Sequence, residues 1–458
     1  MEVDYEMLSM EMRLLETDQP ICQIKLDKPL IQKRGYQTVG IEWLRSKKRA
    51  QLTDRPGLGK TIQAALAAEA PTLVLCPKYL VGQWELWIRN HLPNDSVVAL
   101  KGDRFKKARL LKQDVQWVVG NYQVLRTHFA ELVERQKTNP WTTLILDESH
   151  HLRNRQAIMS QHAAKLAKMR GIERVYELTA TPIWREVDDL WMQLHILQPD
   201  IFTSYHQFVD TFCIADETRF GTKVLGVKKS MMPVLQKMLS IVQLGRDYKE
   251  AGRELPPKID KEIKIDMPKK IVELYKQTQN YWIEEIEEGF TNYASVLHSL
   301  RQISSGPHKT EAIVEALDDL QNIPVLIFCW YRDHAHELSR HIPGSQVITG
   351  EMNVDERRRV ALTNKGTTIA TISSLCEGID LSHLRHVFFA EEHWPPGSTD
   401  QAMSRVHRER LSESNDEPVI VYYFHSKGTI DEHIHQVAQR RAGEAANLRE
   451  VMESAGLI

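Results

Sequence analysis

The chemistry of this chain starts with one eight-residue stretch, Asp54-Arg55-Pro56-Gly57-Leu58-Gly59-Lys60-Thr61. Gly57, Leu58 and Gly59 can form a cradle in which the backbone passes close to a polyphosphate and turns its amide N–H groups inward. Lys60 is spaced to reach the terminal phosphates, and the Thr61 hydroxyl to hold Mg²⁺. Ile62, Ala64, Ala65 and Leu66 follow and favour helix, so the loop opens a helix whose N-terminus attracts an anion. The strict phosphate-loop pattern has glycine where this chain has Asp54.

A second group, Asp147-Glu148-Ser149-His150, follows the apolar run Leu144–Leu146. An aspartate at a strand end can orient Mg²⁺, and a glutamate beside it can polarise an attacking water. Carboxylates also occur in plain exposed turns, so this pair gains its meaning from the phosphate loop upstream. A third group runs from Gln401 to Arg408. Spacings of four and three residues place Gln401, Arg405 and Arg408 on one helix face. Two arginines on a helix are ordinarily solvated surface, and Ser398 with Gln401 also fits a capping box. An arginine brought to a transferring phosphoryl group, however, stabilises its charge. Thr179-Ala180-Thr181-Pro182 reads either as a turn with capping threonines or as a coupling element beside the nucleotide. The Gln37 amide carries the donor and acceptor needed to read an adenine edge.

Basic residues cluster at Lys101, Arg104, Lys106, Lys107, Arg109 and Lys112. They suit phosphate tracking without sequence readout, or simply a solvated helix face. Phe105 alone does not make a base-stacking platform. Arg357-Arg358-Arg359 and Arg45-Lys47-Lys48-Arg49 are weaker clusters of the same kind.

The elements that must position these groups alternate. Apolar runs at Thr72–Cys76, Val115–Gly120, Leu144–Leu146 and Arg174–Leu178 read as buried strands, with helical patterns at Val81–Asn90 and Ala157–Lys168 between them. That alternation predicts a parallel sheet covered on both faces, with ligands beyond the carboxyl ends of its strands. Strand patterns fade from about residue 200 to 310 and resume at Val325–Cys329, Gln346–Ile348, Thr367–Ile372, His386–Ala390 and Val419–Phe424. A closing helix is expected over Ile430–Val451. The expected division is an N-terminal extension (1–27) with an edge strand near Ile21–Leu26, a first lobe (28–250), a linker and helical connection (251–310), and a second lobe (311–458). With 458 residues, 42% hydrophobic and 26% charged, the chain has the composition of a globular protein with several domains. A net charge of −2 means that any nucleic-acid binding must come from local patches. The acidic N-terminus does not resemble a secretory signal, and no apolar run approaches the ~20 residues that span a bilayer. The five cysteines are dispersed without zinc spacing, consistent with reduced thiols in an intracellular protein.

In order, these motifs resemble the Swi/Snf-type ATPases of helicase superfamily two, over roughly residues 28–445. Arg34-Gly35-Tyr36-Gln37 with Ile41-Glu42-Trp43-Leu44 resembles the adenine-sensing segment, with Gly35 where proline is usual. The phosphate loop of that family begins with aspartate, as Asp54 does here, while Arg55 and Pro56 replace its usual acidic residue and methionine. Leu144–Asn154 resembles the carboxylate motif, and Leu178–Pro182 with Asp189-Leu190-Trp191 the coupling motif. Leu73–Trp84 and Val118–Leu125 resemble DNA-backbone segments. Glu377-Gly378-Ile379-Asp380-Leu381 resembles the later nucleotide motif, although Glu377 and Asp380 are atypical. Gln401–Arg408 resembles the arginine-finger helix, and Gly428–Glu432 a closing brace.

The resemblance implies an α/β fold of two RecA-like parallel-sheet lobes with a cleft between them and a helical connection. It implies an ATP- and Mg²⁺-using, DNA-dependent ATPase that moves on duplex or forked DNA through phosphate contacts. Lys60, Asp147, Glu148, Arg405 and Arg408 would be catalytic. Arg34, Gln37, Asp54, Gly57, Leu58, Gly59, Lys60, Thr61, Gly378, Asp380 and Gln401 would contact nucleotide, and Thr61 and Asp147 the metal. A strand-separating or annealing helicase is the first alternative, and a nucleotide-switched binding module with little turnover the second. The short inter-lobe insertions suggest a bacterial cell or a phage-infected host, with no membrane partner.

Overall fold

The computed structural model of the chain describes residues 34–183, 186–218, 221–288, 293–320, 323–375, 381–392, 397–407 and 417–440. It divides into two compact units, Met1–Arg253 and Glu254–Ile458. The N-terminal extension, its expected edge strand, and the closing helix beyond residue 440 lie outside the described residues.

The first unit is built on seven parallel strands: β1 (Arg49–Leu52), β2 (Thr72–Cys76), β3 (Val97–Ala99), β4 (Trp117–Asn121), β5 (Thr143–Asp147), β6 (Arg174–Leu178) and, after a hairpin, β9 (Gln243–Leu244). Their order across the sheet is β3-β4-β2-β5-β6-β1-β9. The central strands β2 and β5 are buried along their whole length, which explains their continuous apolar sequences. Two apolar clusters form, one on each face: Leu73, Leu75, Leu144 and Leu146 point to one, Val74, Cys76, Ile145 and Tyr176 to the other. Strands β7 (Cys213–Thr218) and β8 (Gly221–Val227) form a separate antiparallel pair.

The second unit carries six parallel strands in the order β10-β15-β14-β11-β13-β12, namely β10 (Lys258–Ile265), β11 (Val325–Cys329), β12 (Gln346–Ile348), β13 (Thr368–Thr371), β14 (His386–Phe389) and β15 (Val419–Ser426). The α/β class and the parallel sheets agree with expectation.

The segment expected to be a linker over 251–310 differs. Lys258–Ile265 is an edge strand paired along its length with Val419–Ser426. Its exposed, charge-rich sequence hid it, since an edge strand needs little apolar surface and charges protect it from further pairing. The helices Lys269–Glu287 and Tyr293–Ser304 pack on the second unit itself. Tyr275, Val296, Leu297 and Leu300 meet Ile430, Ile434 and Val437, and the Ile430 N–H donates to the Tyr275 hydroxyl at 2.8 Å. Beside them Lys309, fully buried, donates to Asp431 at 2.8 Å. Burial alone would raise the Asp431 pKa, but Lys309 and then Arg301 hold it below the usual carboxylate range. Among the described residues no helix is long and apolar enough to cross a membrane.

Removing one partner of such a pair leaves a buried charge uncompensated. Lys309→Met is expected to cost about 3–5 kcal/mol, read as an earlier transition in urea denaturation of the full chain.

Candidate active site

Three adjacent strands of the first sheet, β5, β6 and β1, end at one level. Leu178 of β6 is in register with both Leu52 of β1 and Asp147 of β5. Beyond these ends lie the phosphate loop after β1, the carboxylates after β5 and Thr179–Pro182 after β6. The sheet therefore brings together three motifs that are up to 120 residues apart in the chain, at the end where parallel sheets bind ligands.

The loop conformation requires its glycines. Gly57 and Gly59 have φ of +82° and +76°, in the left-handed region. A Cβ at Gly59 would also lie 2.6 Å from Nε2 of Gln37. Lys60 and Thr61 open the helix Lys60–Ala67, and the Lys60 ammonium folds back to donate to the Asp54 carbonyl at 2.7 Å. Gln37, expected to read a base, is buried against the loop. Its Nε2 donates to the Leu58 carbonyl at 3.3 Å and its oxygen accepts from the Arg34 N–H at 3.1 Å. The Tyr36 hydroxyl donates to the same Leu58 carbonyl at 3.2 Å.

Asp54, expected to contact nucleotide, is bonded within the protein. Its side chain is fully buried. It accepts from the Arg246 N–H at 3.1 Å, from Arg246 Nε at 2.9 Å and Nη2 at 2.6 Å, and from Gln63 Nε2 at 2.9 Å. Arg246 also donates to Gln63 Oε1 at 2.6 Å and to the Tyr36 carbonyl, and its guanidinium lies 5.3 Å from the Tyr36 ring centroid. Neighbouring residues extend the clamp, with Thr53 N–H on the Leu244 carbonyl, Arg55 N–H on the Arg246 carbonyl and the Tyr248 hydroxyl on the Pro56 carbonyl. Asp54 thus shapes the loop through these bonds. Arg246 was not singled out from sequence. The available signal was indirect: a buried aspartate beside the loop demands a cation from somewhere.

Asp147 is buried at the end of β5. Its Oδ2 accepts from Trp84 Nε1 at 2.7 Å, its Oδ1 from the Glu148 N–H at 3.0 Å, and its carbonyl from the Tyr122 hydroxyl at 2.7 Å. Burial and then the neighbouring Glu148 push its pKa up, against the Trp84 bond and the Lys60 charge. Glu148 itself sits at φ +52°, a costly conformation for a side-chain-bearing residue and one that clusters at functional sites. Its Oε2 lies 3.3 Å from Nδ1 of His150, which in turn lies 3.1 Å from the Thr179 hydroxyl.

Under these loops runs a buried polar chain. Gln51 of β1 donates to Glu177 at 2.9 Å and to Gln193 at 2.8 Å, and accepts from Gln243 at 2.7 Å. Gln193 donates to the Pro182 carbonyl at 2.7 Å, and the Ser149 hydroxyl donates to Gln193 at 3.4 Å. Side chains of one network therefore join the floor of all three motifs.

The second unit holds the helix Gly397–Val406 with half-buried Arg405, whose carbonyl accepts from the Leu381 N–H at 2.9 Å. Gln401 lies on that helix. Arg408, Gly378 and Asp380 fall outside the described residues. Of the basic clusters, Lys101–Lys112 carries the exposed helix Arg104–Leu111, capped by Asp103 on the Lys106 N–H at 2.8 Å. Phe105 on it is 86% exposed. The other two clusters are partly structural. Arg49 donates to the carbonyls of Ala167, Ile196 and Leu197, Arg45 to that of Leu66, and Arg357 to those of Gly350, Met352 and Ser374.

A family model described as the SNF2-related domain matches residues 36–310, and one described as the helicase conserved C-terminal domain matches residues 308–410. The chain belongs to the SNF2-related family. Its two domains are those of a helicase-like ATPase of superfamily two. Among curated relatives, the DNA annealing helicase and endonuclease ZRANB3 of Mus musculus is 26% identical, covering 89% of this chain and 40% of its own length. The ISWI chromatin-remodeling complex ATPase ISW1 of Saccharomyces cerevisiae is 24% identical over 82% of this chain and 37% of its own length. The chain therefore spans about two fifths of the length of these relatives. The Sulfolobus solfataricus SWI2/SNF2 ATPase core in complex with dsDNA aligns with a TM-score of 0.46 at 24% identity, over 92% of this chain and 94% of that one.

The clamp on the phosphate loop gives a direct expectation. Arg246→Ala leaves Asp54 buried without its cation. It should cost about 3–5 kcal/mol in thermal or chemical unfolding, and nucleotide titration should show weakened binding although residue 246 does not touch the cradle.

Proposed function

We propose that this chain is a DNA-dependent ATPase that translocates on DNA, duplex or forked, through contacts to phosphates. The observation that supports it most strongly is the convergence of Lys60 and Thr61, after β1, with Asp147 and Glu148, after β5, at the level shared by the ends of β5, β6 and β1. ATP would lie over the loop, with its phosphates against the amides of Gly57–Lys60 and the Lys60 ammonium released from Asp54 to them. The hard oxygen donors Thr61 and Asp147 fit Mg²⁺, which when bound supplies charge neutralisation at the phosphates. The raised Asp147 pKa fits the same role, since a buried carboxylate beside a second one is relieved by a cation. Glu148 orients and deprotonates the attacking water. His150 bridges it to Thr179, so a change at the phosphate end reaches the coupling motif. Arg34 and Gln37 border the base side of the loop. Arg405 and Arg408 would stabilise the transferring phosphoryl group, and Gln401, Gly378 and Asp380 would contact nucleotide. Catalysis on this reading is positioning and charge stabilisation.

DNA is the proposed track because family relatives such as ZRANB3 are named as acting on it, and because Arg104, Lys106 and Arg109 present an exposed basic helix.

The decisive experiment compares ATP hydrolysis with duplex DNA, forked DNA, single-stranded DNA and RNA. Stimulation by duplex or forked DNA is expected; no hydrolysis with any of them would turn the reading to a nucleotide-switched binding module. Glu148→Gln should retain ATP binding and lose about 10²–10⁴-fold in turnover. Arg405→Ala and Arg408→Ala should each bind ATP normally but lose about 10³-fold or more of stimulated hydrolysis. Lys106→Glu with Arg109→Glu should flatten the dependence of DNA affinity on salt by about one unit of log slope per lost contact.

A further inference from the structure

The second unit contains a buried group of side chains that the nucleotide chemistry does not use. Glu392 follows β14, His425 lies near the end of β15, and His435 lies on the helix Ile430–Arg440. Their donor atoms all lie within 4.8 Å of one another. His425 Nε2 and His435 Nδ1 converge on one atom, Oε2 of Glu392, at 3.0 and 2.8 Å. All three residues are less than 10% exposed. We propose that Glu392, His425 and His435 bind a divalent transition-metal ion, with Zn²⁺ the ion best suited to the set.

Three features carry this beyond an ordinary ion pair. The set of two imidazoles and one carboxylate is a recurring Zn²⁺ ligand set with a position left for water. Bonds of about 2.0–2.1 Å at tetrahedral angles separate donor atoms by about 3.3 Å, so a small outward shift of these atoms admits the ion. The outer ring nitrogen of His425 is also supported as metal-bound histidines usually are. Its Nδ1 lies 3.2 Å from Glu262 Oε1 of β10, which orients its Nε2 inward.

A neighbouring group, Cys329, His334 and Glu391, shows the contrast. Glu391 spends one oxygen on His334 at 2.5 Å and the other on the Trp330 N–H at 2.9 Å, and the second ring nitrogen of His334 meets the Thr310 hydroxyl at 3.1 Å. Burial pushes the Cys329 thiol well up, so it stays protonated. That group is closed by its own hydrogen bonds and has no ligand to spare.

The ion would fasten the end of β14, β15 and the helix Ile430–Arg440 to one point. The test uses the full chain, stripped with a chelator and dialysed against Zn²⁺, with bound metal counted by mass spectrometry. One Zn²⁺ per chain is expected, with a higher melting temperature. Glu392→Gln and His435→Gln should each lower Zn²⁺ affinity at least 10-fold and abolish the shift. Co²⁺ loaded into the wild-type chain should show the intense visible bands of a four-coordinate site, which keeps the proposal testable if a variant fails to fold. No stoichiometric Zn²⁺ in the wild type, six-coordinate Co²⁺ spectra, or undiminished binding in both folded variants would overturn it.

Discussion

The phosphate loop of this chain depends on the buried charge pair of Asp54 and Arg246. Asp54 lies where a glycine would let the loop turn freely, and a buried carboxylate there would be ruinous alone. Arg246, from the far end of the same unit, meets it through two guanidinium nitrogens and its own N–H. The same guanidinium holds Gln63 and the Tyr36 carbonyl, so one side chain fixes the loop, the helix Lys60–Ala67 and the helix Gly35–Lys47. Since removing either partner of a buried pair is costly, the loop's shape is tied to the last strand of the sheet. Glycines at 57 and 59 then need only supply the turn.

A second constraint lies one layer deeper. β1, β6 and β5 stop in register, and Gln51 links Glu177 to Gln193 beneath the three motifs. Burial keeps the Glu177 pKa well above the ordinary range. This network ties the strand ends together. It gives the phosphate loop, the carboxylates and Thr179–Pro182 a common floor, and His150 links Glu148 to Thr179.

Most of the central strands were legible in the sequence because burial on both faces writes a continuous apolar run. Thr72–Cys76, Arg174–Leu178 and Val325–Cys329 have the bounds their patterns suggest. β1 and β10 were not legible: Arg49–Leu52 buries a glutamine and ties its arginine to backbone carbonyls, and Lys258–Ile265 is a charged edge. The site followed the same division. Lys60, Asp147 and Glu148 were readable from local spacing, whereas Arg246, Trp84 and Gln193 act through contacts that cross the fold and leave no local pattern. Asp54 was readable as a family mark but not as a scaffold residue, because its partner lies 192 positions away. The Glu392–His425–His435 group is invisible for the same reason: its members come from two strand ends and a helix.

The central claim is that ATP hydrolysis at this site drives movement along DNA. Displacement of a third strand from a triplex-bearing duplex measures that movement directly. With ATP, the chain should release the third strand while the underlying duplex stays paired, and with a non-hydrolysable analogue it should release nothing. Hydrolysis without third-strand release, or separation of the duplex itself, would contradict the translocase account.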